Sequence, residues 1–534
     1  MTALAPTQAE APGGHLKASG EVDWTKVFLG FGGMVVGQFM AVLDVQIVSA
    51  SLSQIQAGVG ASTDEISWVQ TIYLLAEVVI IPLTAYLTKM WGTRTVYVTA
   101  AILFIITSIA TGLSTSFEMM IVTRALQGLA GGAMIPAVFA TAMTVFPPER
   151  RVTANVVVGL IVTLAPTVGP TLGGHLTEWL NWRWLFFVNV PPGLLVIWLV
   201  SRYGDFDKGD ARYSKGIDWL GLVTMTIFLL ATQYALEEGA GKGWYKDDLI
   251  LWLGVTSIVT GTIFVWRQLT YWQPIVSLKP FVDRNFTLGM AMNFVSGMSL
   301  YGGTFILPLF LGTVLRYSAA EVGSTMLISG LVMFATAPVA GRFVRLMDAR
   351  IPMFVGFGLA ALGIGLGTHI NANWDYWDFA GMQFLRSIGV MIAMIATQQL
   401  SVSTLPVSMM KDASGLVNLV RNVGGAAGLA MLSTILGLRS AAHYADLSGQ
   451  VTQSNPASQD MMSYMVGMML ESGAADPEGA GRKVFSLMLH REAAIMGFAD
   501  GFMFLAAGCA IAAVLALLAR PAKTPALAPA GGGR

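Results

Sequence analysis

Apolar runs of about 18 to 25 residues recur along the whole chain, each long enough to cross roughly 30 Å of hydrocarbon as a helix. They fall near 26–49, 65–88, 95–113, 118–141, 152–177, 184–203, 216–237, 249–269, 285–313, 320–343, 351–370, 378–403, 415–438 and 495–519, fourteen in all. Lipid offers no partners to backbone N–H and C=O groups, so spans of this length are helices and the fold class is that of an all-α membrane protein. Composition agrees: charged residues make up 12% of the 534, about half the roughly 25% of a soluble chain.

Basic residues orient the spans. With the N-terminus in the cytoplasm, twenty of the 31 Lys and Arg lie in inward segments and eight in outward ones, which predicts cytoplasmic N- and C-termini and a multi-pass protein of the cytoplasmic (inner) membrane. Residues 1–23 and 521–534 are expected to be a disordered leader and tail. The stretch 439–492 carries no spanning run and is too long for a simple connector, so it is expected as an extracytoplasmic feature.

An internal repeat divides the chain. Pro82, Lys89 and Arg94 recur at constant offset as Pro338, Arg345 and Arg350, each set closing a span and opening an inward turn. Two six-span halves, 24–203 and 285–520, with two inserted spans in 204–284, are the economical reading. Repeats of this kind typify secondary transporters, whose substrate sites lie near the bilayer midplane between the halves.

An ionisable group at the bilayer centre costs about 2.5–3.5 kcal/mol on insertion scales, so each one needs a reason. Asp44, Glu77 and Arg124 are candidates for proton coupling, with a purely structural Asp44–Arg124 pair as the alternative. Gln70, Tyr73 and Glu77 form one stripe, Arg124 and Gln127 share a face beside Gly128, Gly131 and Gly132, and Asn418, Arg421 and Asn422 form a stripe in span thirteen. The central cavity is expected to be ringed by spans one, two, four and five and nine, ten, twelve and thirteen, with Gln70, Tyr73, Gln127, Asn293, Ser296, Tyr301, Asn418, Arg421 and Asn422 as its substrate-lining residues. Spans seven and eight should lie outside this ring.

Several segments resemble the major facilitator superfamily, and within it the fourteen-span drug:proton antiporters of the EmrB/QacA type. The run Ala165 to Gly174, with Gly169, Pro170, Gly173 and Gly174, is similar to that family's antiporter motif G-x-x-x-G-P-x-x-G-G, and the run from Trp182 through Asn189 to Gly193 resembles the segment that follows it. Arg124-Ala-Leu-Gln127-Gly128 fits its R-x-x-Q-G motif, and Leu43-Asp44 begins a stretch similar to L-D-x-T-I-V-N, with Gln46 and Ser49 in place of Thr and Asn. The cytoplasmic-gate motif keeps Gly92 and Arg94 but has Lys89 where the family has Asp.

The resemblance implies the major facilitator fold, with two six-helix halves plus two inserted spans, and proton-driven export of amphipathic drugs or other hydrophobic organic compounds. It also implies a periplasmic membrane-fusion adaptor and an outer-membrane channel as partners where the cell has an outer membrane. The competing readings are a proton-coupled uptake symporter, a dedicated exporter of a siderophore or fatty acid and, remotely, an intramembrane lipid-modifying enzyme.

Other chemistry finds little support. No phosphate loop G-x-x-x-x-G-K-[ST] occurs, which excludes ATP as direct fuel. Cys509 is the single cysteine, and the five histidines have no zinc spacing, so no metal and no cofactor are expected. The 31 basic and 31 acidic residues cancel, which disfavours nucleic acid as a partner.

Overall fold

The computed structural model describes residues 23–49, 51–62, 65–451 and 456–520; the tail 521–534 and residues 1–22 of the expected leader lie outside the described residues. The first half is built from α1 (Trp24–Ser49), α2 (Leu52–Val59), α3 (Trp68–Trp91), α4 (Thr93–Gly112), α5 (Phe117–Val145), α6 (Pro148–Trp179), α7 (Trp184–Phe187) and α8 (Val190–Tyr203). Two further helices follow, α9 (Trp219–Glu238) and α10 (Asp248–Thr270). The second half comprises α11 (Arg284–Thr313), α12 (Ala319–Leu346), α13 (Arg350–Leu366), α14 (Tyr376–Ser403), α15 (Met410–Gln450), α16 (Pro456–Glu471) and α17 (Pro477–Ala516).

Among the described residues thirteen helical stretches are long and apolar enough to span, with α7 and α8 counted as one. The 32-residue α6, whose Gly- and Pro-bearing middle is less apolar, packs between α1 and α12 and completes the fourteen. Polar caps set where helices begin. Ser116, Asp247, Asp283 and Asp476 each accept a backbone N–H from the first turn, and Ser318 with Glu321 forms a reciprocal capping box. Asp218 caps α9 in the same way and pairs with Arg267 at 2.8 Å, which explains an acidic residue at a span end.

The sixth span is broken at Val188 and Asn189. Pro191 and Pro192 have no N–H to donate to the preceding turn, so α7 stops and α8 restarts with proline in its first turn. That interruption leaves the Asn189 side chain facing the centre of the first half.

Each half closes on itself, α3 on α5 and α1 on α6 in the first, α13 on α14 and α11 on α15 in the second. Between halves, α6 packs broadly along α12. The related seam between α3 and α15 is shorter, and α9 lies in it, touching both helices, while α10 packs on α9 from outside. The Trp244 indole donates to Thr434 of α15 at 2.8 Å, and the Trp68 and Tyr234 rings meet at a tilt with centroids 5.5 Å apart, so the inserted pair is strapped to both halves.

The described residues of the segment 439–492 are largely helical. α15 continues without a break for 41 residues, α17 begins 18 residues before the expected span, and α16 packs on α17. Asp500, on α17, joins α17 to α15 through Arg439 at 2.6 Å and His443 at 2.8 Å. Met, Ala and Leu throughout this stretch are strong helix formers, so low hydropathy ends the span but not the helix.

Candidate functional site

At the centre of the first half Asp44 of α1 is fully buried and paired with the equally buried Arg124 of α5. Its other oxygen accepts from Gln127 Nε2 at 2.9 Å and Asn189 Nδ2 at 2.7 Å, and both amides also donate to Ser108 Oγ at 3.1 Å. Arg124 Nε donates to the Val69 carbonyl at 3.1 Å, and its guanidinium lies 4.5 Å from the Tyr73 ring centroid. A buried ion pair is tolerable when most of its remaining donors and acceptors are met, and this one draws on α1, α3, α4, α5 and the α7–α8 break, which leave Arg124 Nη2 as its unpartnered buried donor.

Small residues bring those helices together. A Cβ added at Gly128 would lie 2.4 Å from the Tyr73 carbonyl oxygen, and one at Gly131 would lie 2.2 Å from the Tyr73 hydroxyl. On the other side of α1, a Cβ at Gly169 would lie 2.6 Å from Gln46 Cβ and one at Gly173 2.2 Å from the Ile47 carbonyl oxygen. The backbone of α1 immediately after Asp44 is thus seated directly on the glycines of α6. Gly174 faces open space, and the side chain of Pro170 lies outside the described residues.

A cavity of about 270 Å³ lies between the halves. Its walls include Val42, Val45 and Gln46 of α1, Leu74 and Glu77 of α3, Tyr301 and Phe305 of α11, and Arg421 and Asn422 of α15. Glu77 is 7% exposed and accepts from Asn422 Nδ2 at 3.2 Å, a hydrogen bond between the halves. Arg421 donates to Asn418 Oδ1 at 2.5 Å and lies 5.2 Å from the Phe139 ring centroid.

Of the nine residues expected to line a cavity, Tyr301, Arg421 and Asn422 do so, and six sit inside the packed walls. Gln70 donates to the Val45 carbonyl at 3.2 Å and Tyr73 to that of Ala41 at 3.2 Å, tying α3 to α1. Gln127 serves the Asp44 network. Asn293 donates to the Gly289 carbonyl and to Ser401, Ser296 is buried beside it on α11, and Asn418 donates to the Ser414 carbonyl at 2.9 Å.

Gln233, Leu236 and Glu237 of α9 also line the cavity. The expectation that the first inserted span stands outside the ring is therefore corrected: α9 fills the short α3–α15 seam and its inner face becomes wall. Asp218 and Trp219, at the other end of α9, do not reach the cavity.

Three turns along α3 from Glu77 the halves are clamped. Lys89 Nζ lies 2.6 Å from both carboxylate oxygens of Asp412. Next to this pair, Lys411 is bonded to Asp207 and donates to the Thr88 carbonyl at 3.2 Å, while Asp207 accepts from Thr93 N at 2.7 Å and Thr93 Oγ1 at 2.9 Å. Gly92 makes the turn between α3 and α4 at φ +81, a left-handed value that favours glycine, and a Cβ there would meet the backbone of Gly209 at 3.1 Å. Arg94 is exposed. Asp412, Lys411 and Asp207 were not singled out from sequence because each stands at a span end, where charge is ordinary; only the pairing across the halves gives them meaning.

Residues 34–429 match the model of the Major Facilitator Superfamily. The colistin resistance protein EmrB of Acinetobacter baumannii is 35% identical over 86% of this chain and 90% of its own length. The multidrug export protein EmrB of Escherichia coli K12 is 29% identical over 80% of this chain and 84% of its own, and the fatty acid resistance protein FarB of Neisseria gonorrhoeae is 28% identical over 80% and 83%. Among solved structures the human organic anion transporter MFSD10 (TETRAN) superposes with a TM-score of 0.54 at 10% identity, covering 90% of this chain and 99% of that one, which concerns the fold alone. With a fourteen-helix bundle, a cavity between its halves and these relatives, the chain belongs to the major facilitator superfamily of membrane transporters, in its EmrB-like branch.

Proposed function

We propose that the chain exports amphipathic drugs or other hydrophobic organic compounds across the cytoplasmic membrane by alternating access, with protons moving inward as the fuel. The observation that carries this reading is the largely apolar cavity between the halves, which holds the carboxylate Glu77 in its wall and is closed toward the Lys89–Asp412 end. A proton moving inward releases about 2.3 kcal/mol per 100 mV, against about 2.8 kcal/mol for hundredfold uphill export of a neutral solute, so one proton at an ordinary potential is roughly sufficient.

Glu77 is the acid of the first half in contact with the cavity and so a group positioned to exchange a proton there. Asp44 controls the coupling from behind it. Its partners Arg124 and Gln127 come from α5 and Asn189 from the α7–α8 break, with Ser108 of α4 behind the two amides, so any shift of α1 against α5 alters the Asp44–Arg124 separation. The Gly169–Gly173 contact transmits motion of α6 to that same stretch of α1. Gly92 and the Lys89 pair form the cytoplasmic gate, with Arg94 at its surface.

Both termini are assigned to the cytoplasm on the basic-residue asymmetry, which places residues 439–492 outside. There α16 exposes Met461, Tyr464 and Met468, an apolar stripe suited to a periplasmic adaptor leading to an outer-membrane channel. The test is transport by everted membrane vesicles with an imposed pH gradient. Accumulation of an amphipathic dye when the lumen is acid supports export by antiport; accumulation only with the opposite gradient makes the protein an uptake symporter.

A further inference from the structure

The inserted helix α9 contributes a chemical group as well as a wall. Gln233, Leu236 and Glu237 are spaced i, i+3 and i+4, so one face of the helix is turned to the cavity. Glu237 stands in the last turn of α9, where the helix dipole is negative and a carboxylate is disfavoured; a residue placed there for stability would be basic. It is held by the Thr71 hydroxyl of α3, while its Oε2 is buried without a hydrogen-bond partner. Glu77 of the neighbouring α3 also lines the cavity and is tied to Asn422. The cation in the lining, Arg421, is 3% exposed and turned into the wall toward Asn418 and Phe139. Of the other charged groups near this end of α9, Glu238 is adjacent in sequence and Lys242 donates to Tyr234 at 3.1 Å, away from the cavity.

We propose that Glu237 contacts the transported compound and gives the cavity its preference for amphiphiles with a cationic head. This deepens the export reading and rests on the same cavity. The apolar body of such a compound packs against Val42, Val45, Leu74 and Phe305 while its ammonium or phosphonium group lies against the Glu237 carboxylate, one of whose oxygens the fold leaves unpartnered. A neutral amphiphile uses the same apolar walls and gains nothing from Glu237.

The experiment uses the full-length protein, with tetraphenylphosphonium as the cationic probe and Nile red as the neutral one. Tetraphenylphosphonium binding is measured by calorimetry without a gradient, and export of both probes is measured in proteoliposomes with a pH gradient. Glu237→Gln is expected to weaken tetraphenylphosphonium binding by about tenfold and raise its KM similarly, with Nile red export unchanged, and Glu237→Asp to keep part of the affinity. Glu237→Cys adds a rescue: an anionic thiol reagent restores cation binding and a cationic one does not, while the native Cys509 is buried. Equal cation affinity in wild type and Glu237→Gln, the same fold loss for both probes, or no tetraphenylphosphonium binding by the wild type would overturn the proposal. Wild type that binds the cation but moves neither probe under the gradient sinks the export reading alone, and the binding comparison then still decides Glu237.

Discussion

Lys89 and Asp412, 323 positions apart and on opposite halves, face each other with the ammonium 2.6 Å from both carboxylate oxygens. Lys89 occupies the place where the family motif has an acid, so the charges of this closure run from lysine in the first half to aspartate in the second. Asp412→Asn is expected to weaken the closed state by about 1–3 kcal/mol, roughly 5- to 150-fold in the open-to-closed ratio. Lys89→Asp should do the same, and the exchanged pair Lys89→Asp with Asp412→Lys should restore closure. Distances between spin labels on the two halves read the ratio; an exchanged pair no better than either single variant would show that the contact is incidental.

Asp44→Asn leaves Arg124 buried without a counter-charge, which costs about 3–5 kcal/mol. The single variant is therefore expected to be thermally less stable and to lose export driven by a pH gradient. Adding Arg124→Gln should recover stability without recovering coupling. Glu77→Gln, which removes no buried ion pair, should keep its stability and downhill exchange while losing gradient-driven export in part. Normal gradient-driven export by Asp44→Asn would make Asp44 and Arg124 a structural pair and nothing more.

The spans and the Asp44–Arg124 pair were legible because each is a local pattern: an apolar run of fixed length, or a charge stranded within one. The faces of helices were legible too, and Gln70, Tyr73 and Glu77 do form one stripe. What that stripe meets was not. Hydropathy tells a polar face from an apolar one but gives the same signal for a side chain bonded to the next helix, as Tyr73 is to Ala41, and for one lining a void, as Glu77 does. Glu237 was hidden for a second reason, since a glutamate at the end of a span reads as an interfacial anchor until the neighbours of that helix are known. Asn189 gains its role from a helix break that two prolines impose, and its partner lies 145 positions away.

The α1–α6 contact makes a paired prediction. Gly173→Ala places a methyl group 2.2 Å from the Ile47 carbonyl oxygen, so α1 must shift, at about 1–3 kcal/mol. Reduced thermal stability and reduced coupling are expected. Gly174→Ala, one position on and facing open space, should change neither. Equal melting temperatures for Gly173→Ala and wild type would show that the helices do not need this approach.

For topology, Ser463→Cys on α16 should react with an impermeant thiol reagent added to intact cells, and Lys208→Cys should react only in everted membranes. Both positions are exposed, and Cys509 is fully buried, so the background is low. The reverse labelling would invert the whole orientation.

The 41 residues of α15 form one rod about 60 Å long, about twice the thickness of the hydrocarbon it crosses. Its lower end carries Asp412, Arg421 and Asn422 stand about a quarter of the way along it, and its upper end stands about 25 Å clear of the bilayer core. Such a rod is a lever: a tilt of about 15° that opens the Lys89 end sweeps the far tip sideways by roughly 6 Å. Because Asp500 bolts α17 to the same shaft, the outer helices swing with it as a unit. On the orientation proposed above, the state of the Lys89–Asp412 contact is therefore displayed on the opposite surface of the membrane, and a molecule that grips those outer helices holds that contact at the same time.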